Sequence, residues 1–475
     1  MTSAVVVGGG PNGLAAAALL AVEGIEVTLL EAADEVGGGT RSWEGIVPGL
    51  LHDHCSAFHP MAVGSPAFAR LRLSSYGLRW RQPDLDCAHV LDGGTAAALH
   101  TDVDATANGL GVDGPTWRRL FAGPAARYDT LAEDILGPLL RLPRHPLLLS
   151  RFGVPALAPA AGLARLFRTE AARALWSGVA AHAFTPLTRP LSSAIGLGIL
   201  TAGHRHGWAV AEGGSRAIAQ ALAACLTQHG GRIETGVRVR HAADLPPADV
   251  TLFDLDPGQV AGILGDRLPA RVARAYRGFR RGPGAYKVDF AVAGGVPWTA
   301  EAARRAGTVH VGGTSAEVVA AERDVARGRL PERPFVLVGQ QYLADPGRSV
   351  GDTHPVWAYA HVPHGYAGDA TAALIGQIER FAPGFRERIV GMRVTGPADF
   401  AGWNPNFAGG DIMTGAKDIR QLVFGPRAAG DPYATGIPGV YLCSAATPPG
   451  PGAHGMCGAH AARHALAYLQ RAGRR

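Results

Sequence analysis

Cysteine is scarce in this chain of 475 residues, and its five copies are scattered without a C-x-x-C pair. An odd number at irregular spacing offers no disulfide framework and fits a reducing compartment. No apolar run approaches the ~20 residues that a membrane-spanning helix needs. No run of lysine and arginine alternates with aromatic residues, which argues against nucleic-acid binding. The chain enters a predicted strand almost at its first residue, so we expect no signal peptide and a cytoplasmic location.

Charge is also sparse, because Asp, Glu, Lys and Arg make up 18% of the residues and leave a net charge of +6. Hydrophobic residues reach 47%, which is enough for large cores, and no segment has the composition of a disordered region. The length suggests about three domains, or two domains that interrupt each other.

The chain opens with a glycine-rich strand–turn–helix pattern. Gly8, Gly10 and Gly13 form G-x-G-x-x-G between a β-branched run at 5–7 and an alanine-rich helix. The first glycine permits a tight turn, the second lets the backbone approach a pyrophosphate, and the third lets the helix pack on the strand. Glu31 stands where an acid accepts hydrogen bonds from ribose hydroxyls. Against the alternative of a structural glycine turn, the pattern predicts dinucleotide contacts at Gly8, Gly10, Pro11, Asn12, Gly13, Glu31 and Ala32.

A second glycine cluster, G-G-G-T-R-S at 37–42, follows shortly after the acid. An NAD-binding site does not need a second glycine cluster. The alternative to a cofactor contact is that the cluster forms a flexible surface loop. The segment resembles the E-A-(x)4-G-G-R motif of the FAD-containing amine oxidase and phytoene desaturase superfamily, although Gly39 stands at the arginine position and Arg41 follows two residues later. The resemblance implies FAD contacts at Gly38, Gly39, Thr40 and Arg41, and at Ser56 and Ala57 in the next stretch, which passes the isoalloxazine.

Two later segments resemble other parts of the same superfamily. Residues 213–239 form a predicted turn, helix and strand, and Val239 matches the valine that touches adenine there. Residues 439–469 form a predicted strand, loop and helix that resemble the closing motif of phytoene desaturases, and the helix is predicted to begin at His454. A helix N-terminus at this place would stabilise the anion of reduced flavin. The resemblance implies FAD contacts at Ser444, Ala445, Ala446, Gly455, Met456 and Cys457.

Cofactor motifs at three separated places predict an α/β fold with a discontinuous domain. We expect a Rossmann-like FAD-binding domain of the glutathione-reductase and amine-oxidase type with an interleaved α+β substrate domain. The FAD-binding domain is predicted at 1–84, 206–261 and 426–475, and the substrate domain at 85–205 and 262–425.

The stretch 136–168 is rich in leucine and proline, and its charged residues are all arginine. Such a segment forms either an apolar lid over a substrate cavity or a peripheral contact with a membrane surface. Its prolines divide it into short pieces and argue against one long amphipathic helix.

Four side chains are candidates for catalysis. His54 and His59 lie in the stretch that the resemblance places beside the flavin, and His454 lies in the closing motif. Either one of them transfers a proton, or all three cap turns and contact cofactor or substrate. Lys287 lies on a predicted strand, as does the lysine that holds a water beside flavin N5 in flavin amine oxidases; the alternative is a surface lysine on an edge strand. The histidine and cysteine spacings match no zinc knuckle, so we expect no metal site.

A polar block, N-P-N at 404–406 followed by G-G-D at 409–411, precedes the last predicted strand. It resembles the bacterial phytoene-dehydrogenase-like and CrtO-type carotenoid ketolase branch. The block predicts either a buried scaffold network or the floor of a substrate pocket, formed by Asn404, Asn406, Asp411 and Arg420.

These patterns lead to one leading hypothesis, an FAD-dependent desaturase or dehydrogenase that passes a hydride from an apolar isoprenoid, polyketide or lipid-like substrate to flavin N5. A ketolase or isomerase on the same scaffold is the alternative enzyme. A flavin-bound protein that binds or assembles without catalysis is the alternative class. An NAD-only dehydrogenase would leave the second glycine cluster and the closing motif unused. Oxygen, a quinone or another carrier is expected as the electron acceptor.

Overall fold

The computed structural model describes residues 2–473. The strands in this range are β1 (Ser3–Val7), β2 (Glu26–Leu30), β3 (Ser42–Glu44), β4 (Leu51–Asp53), β5 (Trp80–Arg81), β6 (Leu85–Leu91), β7 (Thr95–Leu99), β8 (Val210–Ala211), β9 (Arg232–Glu234), β10 (Val250–Phe253), β11 (Gly284–Ala293), β12 (Ala306–Val311), β13 (Val336–Gly339), β14 (Thr353–Val362), β15 (Ile389–Thr395) and β16 (Val440–Leu442). The helices are α1 (Pro11–Val22), α2 (Pro60–Val63), α3 (Pro66–Leu71), α4 (Val103–Gly109), α5 (Gly114–Ala126), α6 (Tyr128–Ile135), α7 (Pro146–Leu157), α8 (Ala160–Ala164), α9 (Glu170–Ala180), α10 (Ser193–His206), α11 (Arg216–Gln228), α12 (Pro257–Leu264), α13 (Ala270–Arg277), α14 (Glu301–Arg305), α15 (Ser315–Ala326), α16 (Thr371–Phe381), α17 (Pro397–Trp403), α18 (Ile419–Phe424) and α19 (Met456–Ala472).

A five-stranded parallel sheet in the order β16-β10-β1-β2-β9 draws its strands from three separated parts of the chain. The valines of β1 are buried on both faces of the sheet, as a parallel strand covered by helices requires. Helices α1, α11 and α19 pack on one face, and α12 and α13 pack on the other. The predicted strand at 232–239 ends early, at Glu234, because Gly236 adopts a φ of 72° that an extended strand excludes.

A seven-stranded sheet in the order β15-β11-β14-β13-β12-β6-β7 forms the second half of the fold. Its pairs are antiparallel except for β6 and β12, which run parallel. One face packs on α14 and α16 in a dense apolar cluster. The helices between β7 and β8 cover part of the other face with a cluster that buries Trp117, Trp176 and Trp208. The two sheets confirm the predicted fold class, a Rossmann-like parallel sheet with an interleaved α+β unit.

Candidate functional site

One cavity of about 870 Å³ extends from the glycine turn after β1 to the inner face of the seven-stranded sheet. This volume lies in the range of ligand-binding sites. At one end, which we call the nucleotide end, the glycine turn, Glu31 and residues 237–239 line the wall. The other end, which we call the aromatic chamber, is lined by His182, Phe184, Trp208, Thr308, Leu337, Trp357 and Tyr359.

The turn between β1 and α1 leaves no room for side chains. Gly8 has a φ of +99°, and a Cβ on Gly13 would lie 2.0 Å from the Gly8 carbonyl oxygen. Helix α1 therefore begins directly over the end of β1, with Pro11 and Asn12 open to the cavity. Such a helix N-terminus attracts phosphate. Gly13 itself does not line the cavity and packs α1 closely on β1, and its contact with the cofactor stays a prediction.

Polar groups without a protein partner surround the nucleotide end. Asn12 and Ser444 line the cavity, and the buried Oδ1 of Asn12 and Oγ of Ser444 make no hydrogen bond within residues 2–473. Arg41 is 7% exposed, and burial lowers its pKa while the charges of Glu31 and Glu35 oppose that shift. Its Nε donates to the Gly38 carbonyl at 3.2 Å, and its guanidinium lies 4.6 Å from the Trp403 ring centroid. The Arg41 cation fits an anionic dinucleotide.

Glu31 is held rigidly at the nucleotide end. Its Oε2 accepts a hydrogen bond from the Gly9 amide at 2.6 Å, and its Oε1 accepts one from the Ala33 amide at 2.8 Å. Each carboxylate oxygen has a further lone pair, and the side chain lines the cavity. The arrangement fits the predicted role of accepting hydrogen bonds from ribose hydroxyls.

Asp254, which follows β10, is a site residue that our sequence reasoning missed. Its Oδ2 accepts a hydrogen bond from the Gly13 amide at 2.8 Å, and the residue lines the cavity under the glycine turn. Burial, with a further contribution from the Glu31 charge, raises its pKa to about 7. The sequence signal was the acid placed directly after a strand that pairs with β1, where the carboxyl ends of parallel strands meet.

Asparagine at position 254 should stabilise the cofactor-free protein above neutral pH. The raised pKa means that the folded state holds the proton more tightly than the unfolded state, whose pKa is near 3.8. The wild type therefore loses stability as the pH rises from about 4 to about 7, by up to about 4 kcal/mol. Denaturant unfolding at pH 5 and pH 8 measures the difference. The exposed Asp266→Asn variant is the control, and an equal effect of Asp254→Asn at both pH values would contradict the prediction.

Lys287 lies on β11, which runs between β14 and β15, and its side chain is 2% exposed. The alternative of a surface lysine on an edge strand is therefore wrong. Its Nζ donates to the Asp53 carbonyl at 3.0 Å and pairs with the Asp289 carboxylate. Burial raises the pKa of Asp289, and the Lys287 charge opposes that rise. The chain has two lysines, Lys287 and Lys417, and both line the cavity.

Lys417 is the second cavity lysine, and the sequence analysis did not identify it. Its Nζ donates to the Met413 carbonyl at 2.8 Å, and burial lowers its pKa to about 8. The signal available in the sequence was the scarcity of lysine itself, since nearly all basic residues of the chain are arginine.

Of the three candidate histidines, His59 and His454 are buried and His54 is half-buried, and all three are uncharged near neutral pH. Burial lowers the pKa of His54 to about 3 and those of His59 and His454 to about 4. His59 and His454 line the cavity, whereas His54 lies outside it and stacks on Trp403 at 4.5 Å between ring centroids. Low pKa values favour structural roles over base catalysis. Within residues 2–473, no group of three or more His, Cys, Asp or Glu side chains is arranged to hold a metal ion.

The polar block divides between the two interpretations offered for it. Asn404 and Asn406 line the cavity, and Asn406 Nδ2 donates to the Asp254 carbonyl at 3.2 Å. Asp411 is a scaffold residue outside the cavity, because its carboxylate accepts hydrogen bonds from the amides of Gly282 and Gly415. Arg420 is exposed on α18, away from the cavity. Asp411 and Arg420 therefore do not line this cavity, and a pocket role for either of them stays a prediction.

Four other predicted FAD contacts pack the core and do not line the cavity. Ala57 is fully buried in an apolar cluster. Gly455 has a φ of +68°, so α19 begins at Met456 and not at His454. A Cβ on Gly455 would lie 2.8 Å from Ala15 Cβ, which shows that this segment packs α19 against α1. Met456 and Cys457 belong to the same packed turn, and the Cys457 thiol lies 3.4 Å from the Thr447 carbonyl.

The remaining predicted FAD contacts do line the cavity. They are Gly8, Gly10, Pro11, Asn12, Glu31, Ala32, Gly38, Gly39, Thr40, Arg41, Ser56, Val239, Ser444, Ala445 and Ala446. Their convergence from three parts of the chain follows from the strand order of the parallel sheet.

The polar groups of the aromatic chamber were also missed by our sequence reasoning. One row across the inner face of the second sheet consists of Asp289, Trp357, Gly339 and Thr308, and the next consists of Lys287, Tyr359, Leu337 and His310. Both rows point to the same side, because residues i and i+2 of a strand share a face. The alternations T-x-H at 308–310 and W-x-Y-x-H at 357–361 are the signals that reveal them in the sequence.

The segment 136–168 forms α7, α8 and the turns around them. Leu149, Phe152 and Ala156 line the cavity from above, whereas Leu142 and Leu147 are 93% and 83% exposed. Across residues 2–473, we find no helix with the length and apolar character needed to cross a membrane.

Comparison with known proteins agrees with this architecture. Residues 6–71 match a protein-family model described as an NAD(P)-binding Rossmann-like domain. An oxidoreductase from Methanosarcina mazei has the same fold over 98% of this chain and 100% of its own, with a TM-score of 0.63 and 15% identity. Putrescine oxidase in complex with putrescine covers 99% of both chains with a TM-score of 0.61 and 16% identity.

Two curated proteins are similar in sequence. The rat pyridine nucleotide-disulfide oxidoreductase domain-containing protein 2 is 24% identical over 97% of this chain and 92% of its own length. Hydroxyneurosporene desaturase of Cereibacter sphaeroides is 32% identical over 55% of this chain and 58% of its own length. The similarity to the rat protein therefore spans nearly the whole chain, and that to the desaturase spans about half of it.

Proposed function

We propose that this protein is an FAD-dependent oxidoreductase, a desaturase or dehydrogenase that takes hydrogen from an apolar isoprenoid, polyketide or lipid-like substrate. The observation that carries the proposal is the continuity of the nucleotide end with the aromatic chamber in one cavity. FAD, when bound, would supply a hydride acceptor. The similarity to hydroxyneurosporene desaturases supports dehydrogenation of an extended apolar molecule.

The side chains divide this task between binding, orientation and exclusion of water. Arg41 would neutralise the charge of the cofactor, and Asn12 and Ser444 would line the wall beside it. Helix α7 covers the chamber with Leu149 and Phe152 and keeps water out. Lys287 holds its Nζ protons in a fixed direction through Asp289 and the Asp53 carbonyl, so it orients the end of the substrate that reacts.

An apolar substrate fits the chamber better than an amine. The acidic residues that line the cavity within 2–473 are Glu31, Asp254 and Asp256, and all three lie at the nucleotide end. An ammonium group in the aromatic chamber would lose its hydration without gaining a carboxylate partner. Although the fold is shared with putrescine oxidase, we therefore do not favour an amine as the substrate of this protein.

The purified protein should release FAD on denaturation. When neurosporene is added under argon, the flavin absorbance should bleach, and the recovered product should contain one more double bond than neurosporene. Lys287→Met should keep its FAD and bleach about a hundredfold more slowly. Arg420→Met, on the exposed face of α18, should match the wild type in both measurements. Protein without flavin would overturn the proposal, and label from isotopic oxygen in the product would favour a ketolase.

We also propose that the segment 136–168 contacts an anionic membrane surface. The exposed Leu142 and Leu147 stand beside the cavity wall formed by α7, and the charged residues of the segment are all arginine. Leu142→Ser with Leu147→Ser should reduce co-sedimentation with phosphatidylglycerol vesicles and leave the FAD content unchanged. Val112→Ser, at an exposed apolar site outside the segment, is the control. Equal sedimentation of all three proteins would refute the contact.

A further inference from the structure

We propose that the surface formed by α3, α19 and the loop after α6 binds the phosphate of an anionic phospholipid. Four arginines belong to this surface, Arg70, Arg141, Arg144 and Arg463, and we call them the arginine cluster. None of them lines the large cavity. The inference goes beyond the oxidoreductase function, and it gives the membrane contact proposed for the segment 136–168 a lipid partner.

One histidine ties the loop after α6 to α19. His460 Nε2 donates to the Leu136 carbonyl at 2.6 Å, so its Nδ1 is the acceptor that contacts Nη2 of Arg463. A Cβ on Gly137 would lie 3.1 Å from His460 Nε2 and 3.3 Å from Nη2 of Arg141. The guanidiniums of Arg141 and Arg463 therefore both lie close to this ring, although they come from distant parts of the chain.

The acidic residues beside the arginine cluster are paired with other bases. The pairs are Glu23 with Arg70 at 2.6 Å, Glu133 with Arg144 at 2.8 Å and Asp431 with His464 at 2.7 Å. Within residues 2–473, no carboxylate lies within 4 Å of the other two guanidiniums of the cluster. Partial burial lowers the pKa of Arg463, and the charges of the other three arginines lower it further. An anion placed here would relieve this repulsion between like charges.

Arg463 and Arg141 keep donors for such an anion. Arg463 donates to His460, and Arg141 donates to the Glu133 carbonyl. A guanidinium carries five N–H donors, and phosphate oxygens accept them in parallel pairs. Arg463 is exposed on α19 and Arg141 is half-buried, so a ligand can approach the pair from solvent.

Apolar surface beside the cluster favours a lipid over a free anion. Leu140 and Leu142 flank Arg141 in the chain and are 53% and 93% exposed. Arg70 and Arg463 also line a groove of about 240 Å³ between α1 and α19. The apolar residues of the groove are Leu19, Ala459, Ala462, Leu466 and Ala467. A phospholipid offers a phosphate to the arginines and acyl chains to these surfaces, as amphipathic contacts at a membrane interface require.

Equilibrium binding of dihexanoyl phosphatidic acid and dihexanoyl phosphatidylcholine tests the site, because both lipids are soluble and share the same chains. The wild type should bind the phosphatidic acid about tenfold more tightly. Arg463→Gln and Arg141→Gln should each lower this preference to about twofold and keep the FAD content of the wild type. Arg165→Gln, which removes an equal charge from an exposed position in the segment 136–168, should keep the tenfold preference.

Equal losses in the three variants would overturn the site, because diffuse surface charge would then account for the binding, and so would a wild type without preference. Inorganic phosphate that binds as tightly as the phosphatidic acid would reassign the cluster to a free anion. Polyglutamate that binds more tightly than the phosphatidic acid would reassign it to an acidic protein segment. The readout needs neither flavin nor a membrane surface, so its failure is separable from failure of either proposal above.

Discussion

Methionine in place of Arg348 should lower the free energy of unfolding by about 3–5 kcal/mol, because it leaves the Asp53 carboxylate buried without its counter-ion. Both side chains are 0% exposed. Arg348 pairs with Asp53, its Nε donates to Asp345 at 3.0 Å, and its Nη2 donates to the Ala211 carbonyl at 2.7 Å. The guanidinium thus joins β4, β8 and the loop before β14, and Lys287 donates to the carbonyl of the same Asp53.

The carboxylate that Arg348 neutralises is held ionised by its surroundings. Burial alone would raise the pKa of Asp53, but the Arg348 charge and hydrogen bonds from Ser42 and the Ser215 amide keep it below its usual value. Without the guanidinium, the desolvation cost of the charge is no longer offset.

Denaturant unfolding followed by tryptophan fluorescence measures the loss. Arg81→Met is the matched control, since Arg81 pairs with Glu212 at 2.8 Å on the surface, with side chains 53% and 38% exposed, and should cost less than about 1 kcal/mol. The double variant Asp53→Asn with Arg348→Met should be less destabilised than the sum of the single variants. Equal losses in Arg348→Met and Arg81→Met would contradict the buried ion pair as the cause.

Valine at position 13 should abolish cofactor binding and destabilise the protein by about 3 kcal/mol or more. A Cβ there would lie 2.0 Å from the Gly8 carbonyl oxygen and 2.9 Å from Asp254 Cβ. Neither atom is free to move, because Gly8 donates to the Leu30 carbonyl within the sheet and Asp254 accepts from Gly13. Helix α1 must therefore shift away from β1, and its N-terminal turn shifts away from the phosphate site.

FAD content after purification and the unfolding midpoint together test this prediction. Gly123→Ala on α5 is the control, because nothing lies within 4 Å of a Cβ at that position. It should retain FAD and gain up to about 1 kcal/mol from the better helix former. A Gly13→Val protein with a full complement of FAD would show that the close packing of α1 on β1 does not determine the site.

The nucleotide end was largely predictable from sequence because its constraints are local. The spacing of Gly8, Gly10 and Gly13 follows from the geometry of a single turn, and Glu31 follows from the length of one helix and one strand. The cofactor contacts that rest on aligned motifs stay predictions. Gly455 packs against Ala15 of α1, whereas the Cys457 thiol contacts the carbonyls of Thr447 and Gly450.

The aromatic chamber was decided by the tertiary structure. Lys287 meets Asp53 across 234 positions of sequence, and His182 meets His310 across 128. No local pattern specifies such pairs, since they arise only when sheet register and helix packing place distant strands side by side. The sequence by itself determined that a dinucleotide fold forms at the glycine turn, because the backbone there admits no other residues. The tertiary structure decided which polar side chains line the aromatic chamber, because the strands of the second sheet that carry them are distant in sequence and pair only in the folded protein.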